Sequence, residues 1–286
     1  MGTMNRETYA VDVEDVEYLR HGSTPLLARL FKPKGPGPFP TVVELHGGAW
    51  CEHDRTRDVG LNEPLAKSGI VVVALDFRMP PVAPYPASMA DIHYGVRWAK
   101  AQAKALGSRP DWVGALGVSS GGHQGMLLGM RPTDARYGAI PGLPGDGSLR
   151  FMVLCWPVID PLGRYQYAKK LQAGGKPYPE VADNVIPRHD KFWQTEAAMA
   201  EGNPVMALER GERMSLPPVL YVQGTQDDAH PRPHLDRFVA EYRKAGGSLE
   251  LELYEGPTSN LRSATATPQG AQAIERIIEF VHKQTK

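Results

Sequence analysis

Charge of one sign is not in excess in this chain of 286 residues. Lysine and arginine together number 32, as do aspartate and glutamate, so the formal net charge is zero. Local basic runs are also missing. Proteins that attract nucleic acid or anionic lipid through their overall electrostatic field carry a net positive charge. We therefore expect neither nucleic acid nor a membrane among the partners of this protein.

Cysteine and long apolar runs are scarce too. The two cysteines, Cys51 and Cys155, lie far apart and match no metal-ligand spacing, so we expect reduced thiols and no metal site. No apolar run approaches membrane-spanning length. The stretch 1–19 lacks the basic segment followed by an apolar segment that marks a signal peptide. These absences predict a cytoplasmic protein.

Strand-like and helix-like patterns alternate along most of the chain. Two alternating segments near the start predict a pair of strands, and short apolar runs of the kind that buried strands give follow at intervals. These strands are predicted at 11–20, 25–31, 41–46, 70–77, 111–118, 150–156, 218–224 and 248–255. Helices are predicted at 87–106, from 119, at 232–245 and at 269–283. The alternation predicts one α/β domain over 1–286, with a mostly parallel, doubly wound sheet covered on both faces.

The interval 157–215 breaks this alternation. It is rich in proline, glycine and aromatic residues and follows a predicted core strand. Ligands of α/β proteins bind at the carboxyl end of the sheet, and insertions of this size are usually functional or disordered. Because the aromatic content argues against disorder, we interpret the interval as a small cap insertion over that end of the sheet.

The pentapeptide at 117–121, Gly-Val-Ser-Ser-Gly, fits the pattern G-x-S-x-G. It directly follows a predicted strand and directly precedes a predicted helix, as a nucleophile elbow requires. A tight turn there lifts the hydroxyl of Ser119 above the edge of the sheet. An ordinary glycine-rich turn is the alternative. The placement favours Ser119 as the nucleophile of an acyl-transfer enzyme.

A second glycine pair follows an earlier predicted strand, in the motif His-Gly-Gly-Ala-Trp at 46–50. Backbone N–H groups of Gly47 or Gly48, together with that of Ser120, can form an oxyanion hole for a tetrahedral intermediate. Losing one such donor typically raises the barrier by roughly 2.7–4 kcal/mol. A simple turn is the alternative for the glycine pair, and we expect His46 to brace that turn.

Taken together, these motifs resemble a known family. The motif at 46–50, a D-F-R strand end, a proline-bearing loop, a long helix and the elbow are similar in order and spacing to bacterial hormone-sensitive-lipase-like and feruloyl-esterase-like carboxylesterases. The likeness covers 41–123 and, more loosely, 217–285. It implies an α/β-hydrolase fold, an esterase for small or medium esters, no metal or organic cofactor, and often a homodimer. Val118 and Ser120 depart from the commoner G-D-S-A-G-G form.

The triad acid is expected after the predicted strand that ends at Gly224. Two carboxylates, Asp227 and Asp228, lie in this loop. The family has its acid three residues after such a glycine, so the resemblance selects Asp227, with Asp228 as the second choice. Capping of the next helix is the alternative role for an aspartate here.

Histidine is missing where the family has its base. The chain order should be Ser, Asp, His, with the histidine after the last strand. None of the nine histidines lies between 235 and 281. Aligned on Tyr-Glu-Gly at 254–256, the family pattern puts Ser259 at the histidine position. His230 and His234 follow the acid loop, and we expect them to reach the serine only after a rearrangement of that loop.

A serine hydroxyl cannot act as the general base near neutral pH, so the sequence predicts a nearly inactive esterase. Either an esterase has lost its base, naturally or by a deliberate His→Ser substitution, or a non-catalytic protein keeps the pocket to bind a ligand. A plant hormone receptor similar to these lipases lacks the triad histidine. The persistence of Ser119, Asp227 and the glycine pair favours a disabled esterase. An amidase or formamidase is a further alternative, because the same machinery cleaves both bonds.

Aromatic residues near these loops are expected to shape the substrate pocket. Trp50 directly follows the glycine pair, and His189 and Trp193 lie in the predicted cap. Arg188, also in the cap, would suit a substrate that bears a carboxylate, although a solvated surface charge is the simpler interpretation.

Overall fold

The computed structural model describes residues 8–286. Residues 1–7 belong to the stretch in which the sequence predicts no signal peptide, and they lie outside the described residues. Within 8–286, no helix has both the length and the apolar character that crossing a bilayer requires.

Eight strands form one sheet in the described part of the chain, in the order β1-β2-β4-β3-β5-β6-β7-β8. The first two strands pair antiparallel, as do β2 and β4. All other neighbouring pairs are parallel. The mostly parallel sheet predicted from the sequence is thus confirmed. The strands are β1 Val11–His21, β2 Thr24–Pro33, β3 Phe39–Leu45, β4 Val71–Leu75, β5 Ser108–Val118, β6 Met152–Cys155, β7 Val219–Gly224 and β8 Leu249–Tyr254.

Helices cover both faces of this sheet. One hydrophobic cluster contains residues of α2, α3 and α8, and a second contains residues of α1 and α9 on the opposite face. In α9, the predicted apolar stripe of isoleucines and Val281 is buried. The helices are α1 Val59–Lys67, α2 Ala87–Ala101, α3 Ser120–Met130, α4 Pro161–Gly174, α5 Val181–Trp193, α6 Glu196–Glu201, α7 Pro204–Glu209, α8 Arg232–Lys244 and α9 Pro268–Gln284, and a 3-10 helix spans Thr258–Leu261.

Three inner strands are buried along their whole length, which explains their largely apolar sequence. Every residue of β3, β4 and β7 is buried. Because successive side chains of a strand point to opposite faces, Val43 joins the first cluster and its neighbour Val42 joins the second. The two-sided burial is what a parallel sheet between two helix layers requires.

The interval 157–215 contains helices α4 to α7, between β6 and β7. Helix α5 packs its last aromatic residues, Phe192 and Trp193, against Trp50 of the loop after β3. Helix α5 thus lies beside the glycine-rich loop at the carboxyl end of the sheet. The interpretation of the interval as a cap stays a prediction.

The order of the strands in the sheet indicates where the candidate site lies. Sequence order reverses between β3 and β5, which are neighbours in the sheet while β4 lies on the far side of β3. The loops that leave the carboxyl ends of β3 and β5 therefore diverge to opposite faces and open a crevice, where α/β proteins bind ligands. The glycine pair follows β3 and Ser119 follows β5, so both border this crevice.

Candidate active site

Ser119 occupies a strained turn between β5 and α3. Its φ is 52° and its ψ is −113°, a backbone conformation that a residue with a side chain rarely adopts. Three backbone hydrogen bonds stabilise it. The Ser119 N–H donates to Cys155 O at 3.0 Å, and the Ser119 carbonyl accepts from the N–H groups of Val158 at 3.0 Å and His123 at 3.2 Å. The turn has the geometry that the elbow motif predicts.

Glycine at 121 lets the elbow approach the neighbouring strand. A Cβ atom on Gly121 would lie 2.0 Å from the carbonyl oxygen of Leu45, which no side chain could tolerate. The loop after β3 also touches the serine directly, because a Cβ atom on Gly47 would lie 3.3 Å from the Cβ of Ser119. The glycines of both motifs therefore allow close contact between two loops.

The two glycines after His46 differ in their exposure. Gly47 is buried. Gly48 is partly exposed and has a φ of 119°, with its carbonyl accepting from the Cys51 N–H at 3.0 Å. Of the two, Gly48 is the better candidate for an oxyanion donor. His46 stacks on Phe77 at 4.4 Å between ring centroids, in keeping with its expected bracing role.

A histidine does contact Ser119, and it is His230. Its Nε2 lies 2.9 Å from the Ser119 Oγ. Its Nδ1 lies 3.0 Å from Asp227 Oδ2 and 3.1 Å from Oδ1. An ionised carboxylate accepts hydrogen bonds, so the proton belongs on Nδ1 and the lone pair of Nε2 accepts from the serine hydroxyl. Ser119, His230 and Asp227 therefore form a continuous chain of hydrogen bonds, with acid and base three residues apart in one loop.

A local turn explains how one short loop carries both groups. Asp227 Oδ1 accepts from the backbone N–H groups of Ala229 and His230, each at 2.9 Å. This Asx-type turn folds the chain back on the aspartate and brings the imidazole of His230 next to its carboxylate. The prediction that His230 would need a rearranged loop is wrong, because the turn already directs its ring toward Ser119.

Two buried side chains from outside the loop hold this turn in place. Gln223, the penultimate residue of β7, donates from its Nε2 to the His230 carbonyl at 2.9 Å. Arg164 of α4 donates from its Nε to the Ala229 carbonyl at 2.8 Å. Their exposed fractions are 2% and 7%, so water competes poorly for these carbonyls. The position of the histidine is thus fixed from both the sheet and the helix α4.

Ser259 does not belong to the hydrogen-bond chain of Ser119, His230 and Asp227. It is exposed on the 3-10 helix that follows β8, and its neighbour Thr258 is the residue that reaches the acid. The Thr258 Oγ1 donates to Asp227 Oδ2 at 2.5 Å. The assignment of Ser259 as the residue at the base position is therefore corrected. The imidazole that contacts both Ser119 and Asp227 comes from the β7 loop.

The acid and the base have different electrostatic surroundings. Burial disfavours the charged form of Asp227. The positive charge that His230 carries when protonated, together with hydrogen bonds from His230 and Thr258, outweighs burial and lowers the pKa of the carboxyl to about 2. Burial also lowers the pKa of His230, although Asp227 opposes this shift. At neutral pH the carboxyl is ionised and the imidazole is neutral. These are the states in which a base can accept a proton from Ser119.

The three residues expected to form the pocket wall lie together but are buried. Trp50, His189 and Trp193 are exposed by 1%, 0% and 1%. The indole of Trp50 contacts the other two rings at 4.9 Å and 5.6 Å between centroids, and its Nε1 donates to His123 Nδ1 at 3.2 Å. They pack together where the loop after β3 meets helix α5, and no face of these rings is open to a ligand. Arg188 pairs with Glu52 at 2.5 Å at the surface.

Comparisons with known proteins find a family model and several esterases that are similar to this chain. The family model described as BD-FAE matches residues 30–153. Esterase LipC of Mycobacterium tuberculosis is 25% identical over 256 residues, which cover 86% of this chain and 59% of LipC. The probable isoprenylcysteine alpha-carbonyl methylesterase ICME of Oryza sativa is 24% identical over 88% of this chain and 60% of that protein. This chain thus spans about three fifths of the length of these relatives.

Solved structures extend the likeness to the whole fold. EstE1, a thermophilic carboxylesterase from a metagenomic library, superposes with a TM-score of 0.77 at 18% identity and covers 98% of this chain and 91% of its own. The esterase of the archaeon Pyrobaculum calidifontis gives 0.75 at 19% identity, with coverage of 96% and 86%. The chain therefore has the α/β-hydrolase fold. Its resemblance to the carboxylesterases of that fold, drawn from the sequence motifs, is confirmed by the matching family model and relatives.

Proposed function

We propose that this chain is an active serine carboxylesterase that hydrolyses esters of small or medium carboxylic acids. The observation that carries the proposal is the hydrogen-bond chain from Ser119 through His230 to Asp227, with 2.9 Å between Oγ and Nε2 and 3.0 Å between Nδ1 and Oδ2. The esterases among its relatives support the same reaction class.

The reaction follows from these contacts. The Ser119 Oγ attacks the ester carbonyl while His230 Nε2 takes its proton, and the resulting oxyanion is stabilised by backbone N–H groups of Gly48 and Ser120. His230 then protonates the departing alcohol, which leaves an acyl group on Ser119. A water molecule, deprotonated by the same Nε2, releases the acid and restores the serine. Asp227 keeps the imidazole in the tautomer that the first step needs.

Near-inactivity, as expected from the sequence, required a missing base. His230 at hydrogen-bond distance removes that premise, so we propose full triad chemistry with the base on an unusual loop. The ligand-binding alternative is the interpretation that an inactive protein would favour. The cytoplasmic location and the homodimer stay predictions from the sequence.

Hydrolysis of p-nitrophenyl acetate and butyrate by the unchanged chain tests the proposal, beside Ser119→Ala. Ser259→Ala is the matched control, because it removes an exposed hydroxyl from a neighbouring loop. We expect turnover by the unchanged chain and by Ser259→Ala, and a fall of about 10⁶-fold in Ser119→Ala. Rapid quenching and mass spectrometry should find the acyl group on the peptide that contains Ser119. A folded, unchanged chain without turnover would contradict the proposal.

A further inference from the structure

The segment in which the resemblance puts the base contains a residue with another connection to the site. Thr258 begins the 3-10 helix after β8 and is 9% exposed. Its Oγ1 donates to Asp227 Oδ2 at 2.5 Å and accepts from the Gly224 N–H at 3.1 Å. Because the backbone N–H supplies the proton of one of these bonds, the hydroxyl proton must point to the carboxylate.

We propose that Thr258 is a positioning residue for ester hydrolysis, which fixes the plane of the Asp227 carboxylate so that it can orient His230. This inference rests on the proposed esterase function. It assigns to the β8 loop a supporting part in a site whose acid and base both come from the β7 loop.

The two oxygens of Asp227 share the imidazole Nδ1, which lies 3.1 Å from Oδ1 and 3.0 Å from Oδ2, and their other partners differ. Oδ1 accepts the backbone N–H groups of Ala229 and His230, which belong to the same turn. Oδ2 accepts Thr258 and the imidazole Nδ1. Without Thr258, no described side chain other than the imidazole it must orient would hold Oδ2. The last torsion of an aspartate is broad, so the carboxylate would then turn more freely.

Water is a poor substitute for the threonine hydroxyl. The side chain of Asp227 is 4% exposed and that of His230 is 9% exposed. A buried carboxylate that loses a donor keeps the desolvation cost without the compensating bond. The unscreened charge then pulls more strongly on the Nδ1 proton of His230. The protonated imidazole gains stability, and its pKa rises.

Three variants test this role. Thr258→Val keeps the shape and removes the hydroxyl, whereas Thr258→Ser keeps the hydroxyl. Thr225→Val is the matched control, because the Thr225 Oγ1 accepts from the Gly256 N–H at 3.1 Å and so joins the same two loops without donating to Asp227. We expect Thr258→Val to lower kcat by about tenfold or more with little change in KM, and Thr258→Ser to restore most of it.

The pH profile separates positioning from a structural effect. We expect the acid limb of kcat/KM to move to higher pH in Thr258→Val and to stay in place in Thr225→Val. An NMR titration of the His230 ring should show the same shift without relying on turnover. If Thr258→Val does not fold, Thr258→Ala removes the hydroxyl with no added bulk and is measured in the same way.

Two results would overturn the inference. One is an unshifted profile and titration in Thr258→Val or Thr258→Ala, and the other is an equal loss and shift in Thr225→Val. Either result in an active unchanged chain rejects the role of Thr258 and leaves the esterase intact. Absence of turnover in the unchanged chain rejects the esterase function instead, while the NMR titration still tests the contact between Thr258 and the acid.

Discussion

The loops after β7 and β8 lie side by side at the carboxyl end of the sheet, and they divide the site unequally. Loop 225–231 carries both the acid, Asp227, and the imidazole, His230. Loop 255–267 carries Thr258, which donates to the acid, and Ser259, which is exposed. In the resembled family, acid and base come from different loops. The contrast shows that the fold determines where loops converge and leaves open which of them supplies a given group.

Because Asp227 and His230 lie in one turn, the contact between them is organised locally. The contact between Asp227 and His230 is organised by N–H groups of their own loop, at 2.9 Å from Oδ1. A base on the β8 loop would instead depend on how two loops dock. Among the contacts that join Ser119, His230 and Asp227, the one between Ser119 and His230 is long-range, and Gln223 and Arg164 secure the loop that makes it.

The largest effect apart from the loss of the nucleophile or base is expected for Asp227→Asn, which tests whether the acid belongs to the β7 loop. An amide cannot hold the imidazole in the required tautomer, and the corresponding change in a serine protease lowers kcat by about 10⁴-fold. We expect a similar loss in the rate of p-nitrophenyl butyrate hydrolysis.

Asp228→Asn is the matched control for that change. Asp228 is adjacent and exposed, so we expect activity within a few-fold of the unchanged chain. Equal losses in both variants would mean that the charge of the loop, and not the oriented carboxylate, matters.

A smaller effect is expected for Gln223→Leu, which frees the β7 loop from the sheet. The His230 carbonyl loses a buried donor, and such a loss costs about 1–3 kcal/mol. We expect kcat to fall by about tenfold, with the unfolding free energy measured in urea to check the fold. Gln226→Ala, at an exposed residue of the same loop, serves as the control. Unchanged activity in Gln223→Leu would show that the loop holds its own shape.

The pH dependence of the unchanged chain identifies the state of the base. Burial lowers the pKa of His230 below its usual 6.5, so the imidazole stays neutral in mildly acidic solution. Activity should be retained at pH 6.5 and fall about tenfold per pH unit once the pH drops below this lowered pKa, because a protonated ring cannot accept the serine proton. A half-maximal kcat/KM above pH 6.5 would contradict this environment.

The smallest effect is expected for Ser259→His. If the base were missing, this change would raise activity by several orders of magnitude. Since His230 already contacts Ser119 and Asp227, we expect no measurable gain. A large gain in a folded Ser259→His variant would return the base to the β8 loop.

Much of this fold could be predicted from the sequence because its signals are local and strong. Apolar runs predicted the buried strands, and the stripe in α9 predicted the face that packs on the sheet. Boundaries were less accurate. The helix predicted at 87–106 ends at Ala101. Ala103 and Leu106 continue its apolar pattern, but they are buried from the turns that follow the helix. Helix α1, Val59–Lys67, was not predicted, and Pro64 within it weakens any helical signal.

The candidate site could be predicted only in part. The elbow and the glycine pair could be predicted because their backbone conformations require glycine at fixed positions, and a sequence motif shows those glycines directly. The position of His230 does not follow from the chain order of the family, because it depends on hydrogen bonds made by the side chains of Asp227, Gln223 and Arg164. Its spacing of three residues after the acid was the available signal, since an aspartate readily caps the turn that follows it. The burial of Trp50 and its neighbours likewise depends on packing that no spacing reveals.

The most direct test of the account is kcat/KM for p-nitrophenyl butyrate in His230→Ala, with His234→Ala as the matched control from the same region. We predict a fall of about 10⁶-fold in His230→Ala and a minor change in His234→Ala. Activity within tenfold of the unchanged chain in a folded His230→Ala variant would contradict the assignment of the base to the β7 loop.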